Sequence, residues 1–411
     1  MMIKNSLIVV MLGLLLVLSL GIARNDHGYQ SAMHQALDLI SHNHAYLSQK
    51  RIDWSCIEST YLEQAKQAQN DHEILKVFEN LMLEFTDNHM TLNTNDSESY
   101  RLFSPVKVIK QGNGFMVDDI WKSKLSVTTP VQIGDQFIDL NGQTSQQIID
   151  DFPTQCVDKN RVETQQWMIN KALAGVYSKP RLLRLKNPKK VYAVNLDTLT
   201  YKTSDNLLDF TVEDNLAIIT INDSLGNTNL IKEFDETLDQ LSTTDGLILD
   251  LRNTISGGDS YMARAIMGRL VDKIQAYQKH QYLEKQEGAV GVNRIWVEYV
   301  EPRGSHYDKP LVVLSNYWTG SMGEGLTIGL QGMERATWIG SEMAGLLGAV
   351  NQFKINTLWF SIQMPVEQLF RIDGVPRDQT KPDRVLKPSG NQQDDVLQKA
   401  ISHLKQKMQQ G

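Results

Sequence analysis

The 411-residue sequence has little of what builds metal centres and nucleic-acid surfaces. It contains two cysteines, and no cysteine–histidine cluster has the spacing of a zinc site, so we expect no metal. Lysine and arginine together number 41 against 48 acidic residues, which gives a formal net charge of -7. This balance argues against binding to a phosphate backbone, which needs a basic face. We therefore expect neither a nucleic-acid partner nor a cofactor.

Long apolar runs are absent except at the N-terminus. Lys4 precedes an apolar run over residues 7–20, and Gly21-Ile22-Ala23 presents small residues where a signal peptidase cleaves. This pattern predicts a signal peptide over residues 1–23 and an exported protein, either periplasmic or secreted. An uncleaved membrane anchor is the alternative, because the run is only slightly shorter than a span of about 18–20 residues. Outside the cytoplasm, Cys56 and Cys156 could form a disulfide or remain two buried thiols.

The part of the chain after the signal begins with helical periodicity. Between Gly28 and Leu83, apolar residues recur three and four positions apart, which is the spacing of one helix face. The polar triplet Thr86-Asp87-Asn88 should then end the last helix and begin a turn. We predict an N-terminal helical bundle over residues 24–100, with His89 at its end.

The following region changes to the periodicity of strands. Val106 to Lys110 alternates between apolar and polar residues, and a Gly-Asn-Gly turn follows it. Gly134-Asp135 and Asn141-Gly142 flank a further strand, and this arrangement resembles the Gly-Asp and Asn-Gly signature of PDZ domains. An ordinary hairpin with an Asn-Gly turn is the alternative. We predict a PDZ-like insert over residues 101–200.

From residue 201 onward the pattern alternates between strands and helices. Leu216 to Ile221 is a buried type of strand, a helix with one apolar face follows, and Gly246 to Leu251 is the returning strand. Such a unit pairs its strands in parallel through a right-handed crossover. The sequence therefore predicts an α/β fold.

A serine stands at the start of one of these helices. The apolar run Leu311 to Leu314 precedes Thr319-Gly320-Ser321-Met322-Gly323-Glu324. A hydroxyl at a helix N-terminus is well placed for nucleophilic attack, because the helix dipole and the Met322 N–H favour developing negative charge. The alternative is a capping box, in which Ser321 is the N-cap and Glu324 reaches back to it. Thr319 is a rival cap that would leave Ser321 free.

The order of several short motifs resembles a known family. Asp250-Leu251-Arg252 precedes Gly257-Gly258, the serine turn follows, and Ile339-Gly340 comes next. This order resembles the tail-specific (C-terminal processing) serine peptidases and their tricorn-like relatives. The resemblance implies a ββα-spiral, crotonase-like catalytic domain over residues 201–411 and peptide hydrolysis through an acyl-enzyme on Ser321.

The resemblance also implies the other catalytic groups. The tail-specific branch carries its lysine base where this sequence has residues 345–348, Gly-Leu-Leu-Gly, so the tricorn-like Ser–His branch fits better. That branch takes a histidine before the PDZ-like segment, which makes His89 the general base. Asp378 is the expected orienting carboxylate, with Glu324 as the alternative. The N–H groups of Met322 and of Gly257 or Gly258 would bind the oxyanion.

The expected partner is a peptide or protein substrate. A catalytically inactive protein that binds a peptide or another ligand on the same scaffold is the alternative, because the lysine of the tail-specific branch is missing. Crotonase-like acyl-CoA chemistry fits poorly with an export signal and an acidic chain.

Overall fold

The computed structural model describes residues 26–285, 290–389 and 394–409. Its α-helices are α1 Asp26–Asn43, α2 Trp54–Gln67, α3 Asp71–Leu83, α4 Ser145–Asp150, α5 Val162–Ala174, α6 Asn229–Gln240, α7 Ser260–Gly268, α8 Met322–Gly332 and α9 Asp395–Met408. Its strands are β1 Thr91–Leu92, β2 Val106–Gln111, β3 Gly114–Ile120, β4 Gln136–Leu140, β5 Leu182–Lys186, β6 Val191–Asn195, β7 Leu208–Glu213, β8 Leu216–Ile221, β9 Gly246–Asp250, β10 Gln275–Glu284, β11 Val292–Val300, β12 Leu311–Ser315, β13 Thr337–Gly340, β14 Ala349–Lys354, β15 Ser361–Arg371 and β16 Arg384–Val385. The predicted signal peptide lies outside the described residues. Over the described ranges, no helix is both long and apolar enough to cross a membrane.

A six-stranded sheet forms the centre of the second half of the chain, in the order β16-β13-β12-β9-β8-β7. Its strands are parallel except β7, which pairs antiparallel with β8. The predicted parallel pairing of residues 216–221 with 246–250 is confirmed. Strands buried on both faces read as continuous apolar runs, and β9 and β12 are buried at every position.

Helices cover both faces of this sheet. On one face, α6, α7 and α8 bury a large apolar cluster that includes Phe234, Ile266 and Leu326. On the other face, α9 contributes Val396, Ile401 and Leu404 against β9 and β12. The period of about 3.6 residues in these helices places such residues on one side.

Residues 101–200 contain an antiparallel sheet in the order β2-β3-β4-β5-β6. The alternation of β5, in which Leu183 and Leu185 are buried and their neighbours exposed, presents one apolar face. Helices α4 and α5 contribute to the same core through Ile148 and Met168. The PDZ-like character of this unit stays a prediction.

The N-terminal helices share their core with the second half of the chain. Side chains of α1, α2 and α3 pack in one cluster with Phe360, Ile362 and Met364, which lie in or beside β15. The short strand β1 extends this contact, because Thr91 and Leu92 pair with Gln363 and Ile362. The helices therefore do not close a core by themselves, and the predicted domain boundaries and the crotonase-like spiral stay predictions.

Two anchors tie the helices to the loop that follows α4. Cys56 of α2 and Cys156 are joined by a disulfide of 2.05 Å, which settles the alternatives that the sequence left open. Beside it, the buried Glu84 carboxylate accepts hydrogen bonds from the backbone N–H groups of residues 155–157 and from the Tyr61 hydroxyl. The loop over residues 155–157 is therefore held both covalently and by a fully bonded carboxylate.

Candidate active site

Three loops emerge at one edge of the six-stranded sheet. They follow β9, β12 and β13, which are neighbouring parallel strands, so their carboxyl ends point the same way. In open parallel sheets this edge is where ligands bind. The loops are residues 251–259, 316–321 and 341–348, and the first two contain the predicted oxyanion glycines and Ser321.

Ser321 occupies a sharp turn at the start of α8. Its φ of 52° is unusual for a residue with a side chain and costs about 1–3 kcal/mol, so the surrounding structure must enforce it. Glu324 provides one half of a capping box, because its Oε2 accepts a hydrogen bond of 2.9 Å from the Ser321 N–H. The Ser321 side chain faces the Glu324 N–H in the arrangement of the other half, but without a side-chain hydrogen bond of normal geometry. The hydroxyl is therefore not committed to the cap.

The interpretation of Thr319 as a rival cap is wrong. Its hydroxyl accepts from the N–H of Asn316 and donates to the carbonyl of Leu251, at 3.1 and 2.9 Å. Thr319 therefore fastens the serine loop to the loop after β9, and it does so from a fully buried position.

Gly257 lies directly against Ser321. A Cβ added to Gly257 would stand 2.3 Å from the Ser321 Cβ, 2.6 Å from its Oγ and 2.8 Å from the Met322 nitrogen. The φ of Gly257 is 70°, so this position excludes other residues both by conformation and by space. Gly258 is equally enclosed, since its Cβ would lie 2.0 Å from the carbonyl oxygen of Leu225. Gly257 thus brings backbone into contact with the serine, whereas Gly258 packs against the backbone of Leu225.

The predicted oxyanion donors are free to bind a ligand. Among the described residues, the N–H groups of Gly257, Gly258 and Met322 donate no hydrogen bond, whereas the N–H of Ser256 donates to Asp223 at 2.6 Å. Unbonded N–H groups next to a nucleophile are what an oxyanion hole needs. The structure brings Gly257 and Met322 together at Ser321.

Glu324 connects Ser321 to the third loop. It is 1% exposed, and its second oxygen accepts from the N–H of Gly345 at 2.9 Å. The Arg377 guanidinium lies 3.8 Å away. Burial raises the pKa of Glu324 to about 7, while Arg377 and the backbone donors act in the opposite direction.

Arg377 is a site residue that sequence reasoning missed as such. It is buried and donates to the carbonyls of Leu346 and Gly348, at 2.6 and 3.0 Å, and more weakly to that of Ser321 at 3.4 Å. A guanidinium can reach several acceptors at once because its donors form a planar fork. Nothing in the sequence around Pro376 indicates that this arginine is buried.

His89 approaches the same loop from the N-terminal half. Its Nδ1 lies 2.6 Å from the carbonyl oxygen of Leu347, and its backbone N–H donates to the Asp87 carboxylate at 3.0 Å. Because a carbonyl only accepts, Nδ1 carries the proton and the neutral ring has its lone pair on Nε2. Burial lowers the pKa of His89, and Arg377 acts in the same direction, whereas Asp87 acts against them. The imidazole is therefore neutral at neutral pH.

Ser321 and His89 are connected through the loop over residues 345–348. Glu324 bonds Gly345 at one end of this loop, and His89 bonds Leu347. Within the described part of the chain, no hydrogen bond joins the two side chains directly. The position that an orienting carboxylate would take at Nδ1 is held by the Leu347 carbonyl, and neither Asp378 nor Glu324 bonds the ring.

Asp378 lies instead on a cleft of about 650 Å³ beside this loop. The cleft is also lined by Leu347, Ala344 and Tyr317, together with Lys50 from the helical region. Burial raises the pKa of Asp378, and the neighbouring Arg377 and Lys50 oppose that effect. Its role in catalysis stays a prediction.

Other motif residues fasten the loops in place. Arg252 donates to both Asp250 and Asp394, with the closest ion-pair distances at 2.6 and 2.7 Å. Trp318 is fully buried, stacks on Trp121 with ring centres 5.2 Å apart, and donates to the carbonyl of Ser104. The contacts of Trp318 fix the serine loop to the region 101–200.

No group of three or more histidine, cysteine or acidic side chains suited to a metal ion occurs among the described residues.

One protein-family model matches part of this chain. The model of Peptidase family S41 matches residues 215–386, which include the glycine loop and the serine turn. No curated protein gives a significant match to the sequence. The match covers the six-stranded sheet from β8 to β16, but not His89.

Solved structures of low sequence identity share the fold. Mature CPAF is 14% identical, with 93% of this chain and 96% of that chain covered and a TM-score of 0.62. A putative peptidase from Parabacteroides merdae is also 14% identical, with 92% and 96% covered and a TM-score of 0.55. The photosystem II D1 C-terminal processing protease is 16% identical, with 88% and 93% covered and a TM-score of 0.54. The likeness extends over almost the whole described chain.

Proposed function

We propose that this serine-type peptidase, whose residues 215–386 match Peptidase family S41, is an exported enzyme of the Ser–His type. Ser321 is the nucleophile and His89 the general base. The N–H groups of Met322 and Gly257, with Gly258 as the alternative donor, bind the oxyanion. Peptides or proteins are the substrates.

The observation that carries this proposal is the contact between Gly257 and Ser321. A side chain at position 257 would overlap the serine, and the unbonded N–H groups lie beside the hydroxyl. Negative charge that develops next to Ser321 is therefore stabilised by backbone dipoles that need no rearrangement. The strained φ of Ser321 supports the same conclusion, because such strain collects at functional sites.

The proposed reaction has two steps. The Ser321 Oγ attacks the scissile carbonyl while the Nε2 of neutral His89 takes the hydroxyl proton, and the oxyanion forms against the Met322 and Gly257 N–H groups. The C–N bond then breaks, and His89 returns the proton to the leaving amine. In the second step water, activated by the same imidazole, hydrolyses the acyl-enzyme. Glu324 holds the turn by accepting from the Ser321 N–H.

A catalytically inactive peptide-binding or ligand-binding protein is the second candidate. One observation favours it, namely that no direct hydrogen bond joins Ser321 and His89 within the described residues. In a peptidase, the two side chains must meet when substrate binds, and hydrogen bonds between catalytic groups are often long before that.

Labelling by a fluorophosphonate probe separates the two candidates. We expect covalent labelling of the purified protein, none of Ser321→Ala, and labelling slowed by about 100-fold or more in His89→Ala. Thr327→Ala is the control, because this serine-like hydroxyl is buried within α8 and bonded to Gly323. Labelling that persists in Ser321→Ala would reject the nucleophile. An unchanged rate in His89→Ala would reject the base.

A further inference from the structure

A second cavity lies behind the turn that carries His89. It has a volume of about 190 Å³ and lies between α3, the segment around β1 and the start of the region 101–200. Most of its wall is apolar and comes from Met82, Leu83, Met90, Leu92, Tyr100 and Leu102. Ligand sites combine such walls with a few polar groups that fix orientation, and a volume below that of drug-sized pockets selects a small ligand.

Two charged side chains reach this cavity, and one of them is already paired. Glu79 accepts a hydrogen bond from the Ser99 hydroxyl and lies 3.5 Å from the ammonium of Lys76. Its charge is therefore compensated within the protein. The other is Lys171 of α5, which lines the same cavity.

Lys171 has no carboxylate partner. Its ammonium donates one hydrogen bond, to the Asn88 side-chain oxygen at 3.2 Å, and lies 6.0 Å from the centre of the Trp167 ring. No acidic oxygen of the described residues lies within 4 Å of it. An ammonium has three donors, so two remain unused. Burial lowers the pKa of Lys171 to about 8, and the attraction of Glu79, which is beyond ion-pair distance, offsets this effect only in part.

We infer that this cavity binds a small apolar carboxylate whose charged end pairs with Lys171 and whose chain lies along Met82, Met90 and Leu102. The carboxylate supplies a counter-charge in direct contact with the ammonium, and the apolar walls supply the affinity for the chain. Such a ligand would compete for the ammonium with Asn88, the residue next to His89. The site is distinct from the cleft lined by Asp378 and Leu347, and the inference does not depend on the proposed hydrolysis.

Calorimetric titration of the full protein with hexanoate, and with hexanamide as the uncharged probe of equal shape, tests this inference. We expect hexanoate to bind at least about tenfold more tightly than hexanamide, because the ammonium of Lys171 interacts more strongly with a charged carboxylate than with a neutral amide. Lys171→Met keeps the apolar stem of the side chain and should reduce the preference to near unity. Lys232→Met is the matched control, since Lys232 lies exposed on α6, and it should retain the preference.

A second variant covers the case in which Lys171→Met does not fold. Leu102→Trp fills the cavity without touching the charge, and it should abolish the binding of both probes. Equal affinities for hexanoate and hexanamide in the native protein would overturn the inference. Saturable hexanoate binding that survives Leu102→Trp, or that keeps its preference in Lys171→Met, would overturn it as well.

Discussion

The two halves of the proposed site are built in different ways. The serine half consists of neighbouring loops on adjacent parallel strands, and backbone contacts at Gly257, Thr319 and Gly320 hold it. The histidine half enters from a helical region some 230 residues earlier, by the numbering of His89 and Ser321, and contacts the loops through one bond to Leu347. The serine half is thus fixed by close packing, whereas the histidine half depends on where one loop lies.

The two halves are therefore expected to tolerate different substitutions. Close contacts at a glycine leave no room for a side chain, so even a methyl group must disturb the serine half. The histidine half can move with the loop over residues 345–348, and that loop is held by Arg377 and Glu324. Substitutions that separate packing from loop position therefore test the comparison.

The largest effect is expected from Gly257→Ala. The added methyl would stand 2.6 Å from the Ser321 Oγ, so the oxyanion donors and the nucleophile cannot keep their places. We expect kcat/KM for a peptide substrate to fall by about 100-fold to 1,000-fold, which is the loss on removing an oxyanion donor. Gly112→Ala is the matched control, since Gly112 also has a positive φ, of 57°, but open space around it. Equal losses in both variants would show that backbone strain alone is responsible.

A smaller loss is expected from Arg377→Met. Without the guanidinium, the carbonyls of Leu346 and Gly348 lose their donors, and the Leu347 carbonyl that orients His89 shifts with them. We expect kcat/KM to fall by about tenfold to 100-fold, because small displacements of catalytic groups have effects of this size. Arg371→Met serves as the control, since that arginine pairs with Asp373 at the surface. Full activity in Arg377→Met would mean that the loop does not position the histidine.

The smallest effect is expected in the pH profile of kcat/KM. His89 acts as a base only when neutral, and its pKa is lowered from the usual 6.5 by burial, so activity should persist until the pH falls below 6.5. Glu324 titrates separately, with a pKa raised by burial to about 7, and Glu324→Gln removes any inflection that it causes. An acid limb above pH 6.5 that survives in Glu324→Gln would contradict a lowered pKa at His89.

Local pattern alone predicted many of the elements. The helices over residues 26–43, 54–67 and 71–83 follow the predicted apolar spacing, and the strand at 311–315 with its following helix matches the prediction. The long strands β10 and β11 were not predicted, because β11 is largely exposed and its sequence lacks a strict alternation of apolar and polar residues. Their pairing with each other and with β15 is long-range, and no local signal reports it.

Within the site, the serine and the glycines could be found from sequence because tight turns restrict which residues fit. Gly257 carries that restriction in its own identity, and Ser321 is marked by the glycines at positions 320 and 323 on either side of it. The sequence pattern predicts Thr319 as a helix cap, but its hydroxyl donates to the distant carbonyl of Leu251. A hydroxyl can do either, and only the position of Leu251 in the fold decides between them. Arg377 and the Leu347 carbonyl were missed for the same reason.

Local sequence was enough to indicate the serine turn, the glycine loop and the parallel βαβ order, since these follow from neighbouring residues and the limits of φ and ψ. The fold alone shows that Arg377 is buried, that Leu347 rather than a carboxylate bonds His89, and that Lys171 has no carboxylate within 4 Å among the described residues. Burial and partner choice depend on residues far apart in the chain, and the free energy of a charged or polar group changes most with those two quantities.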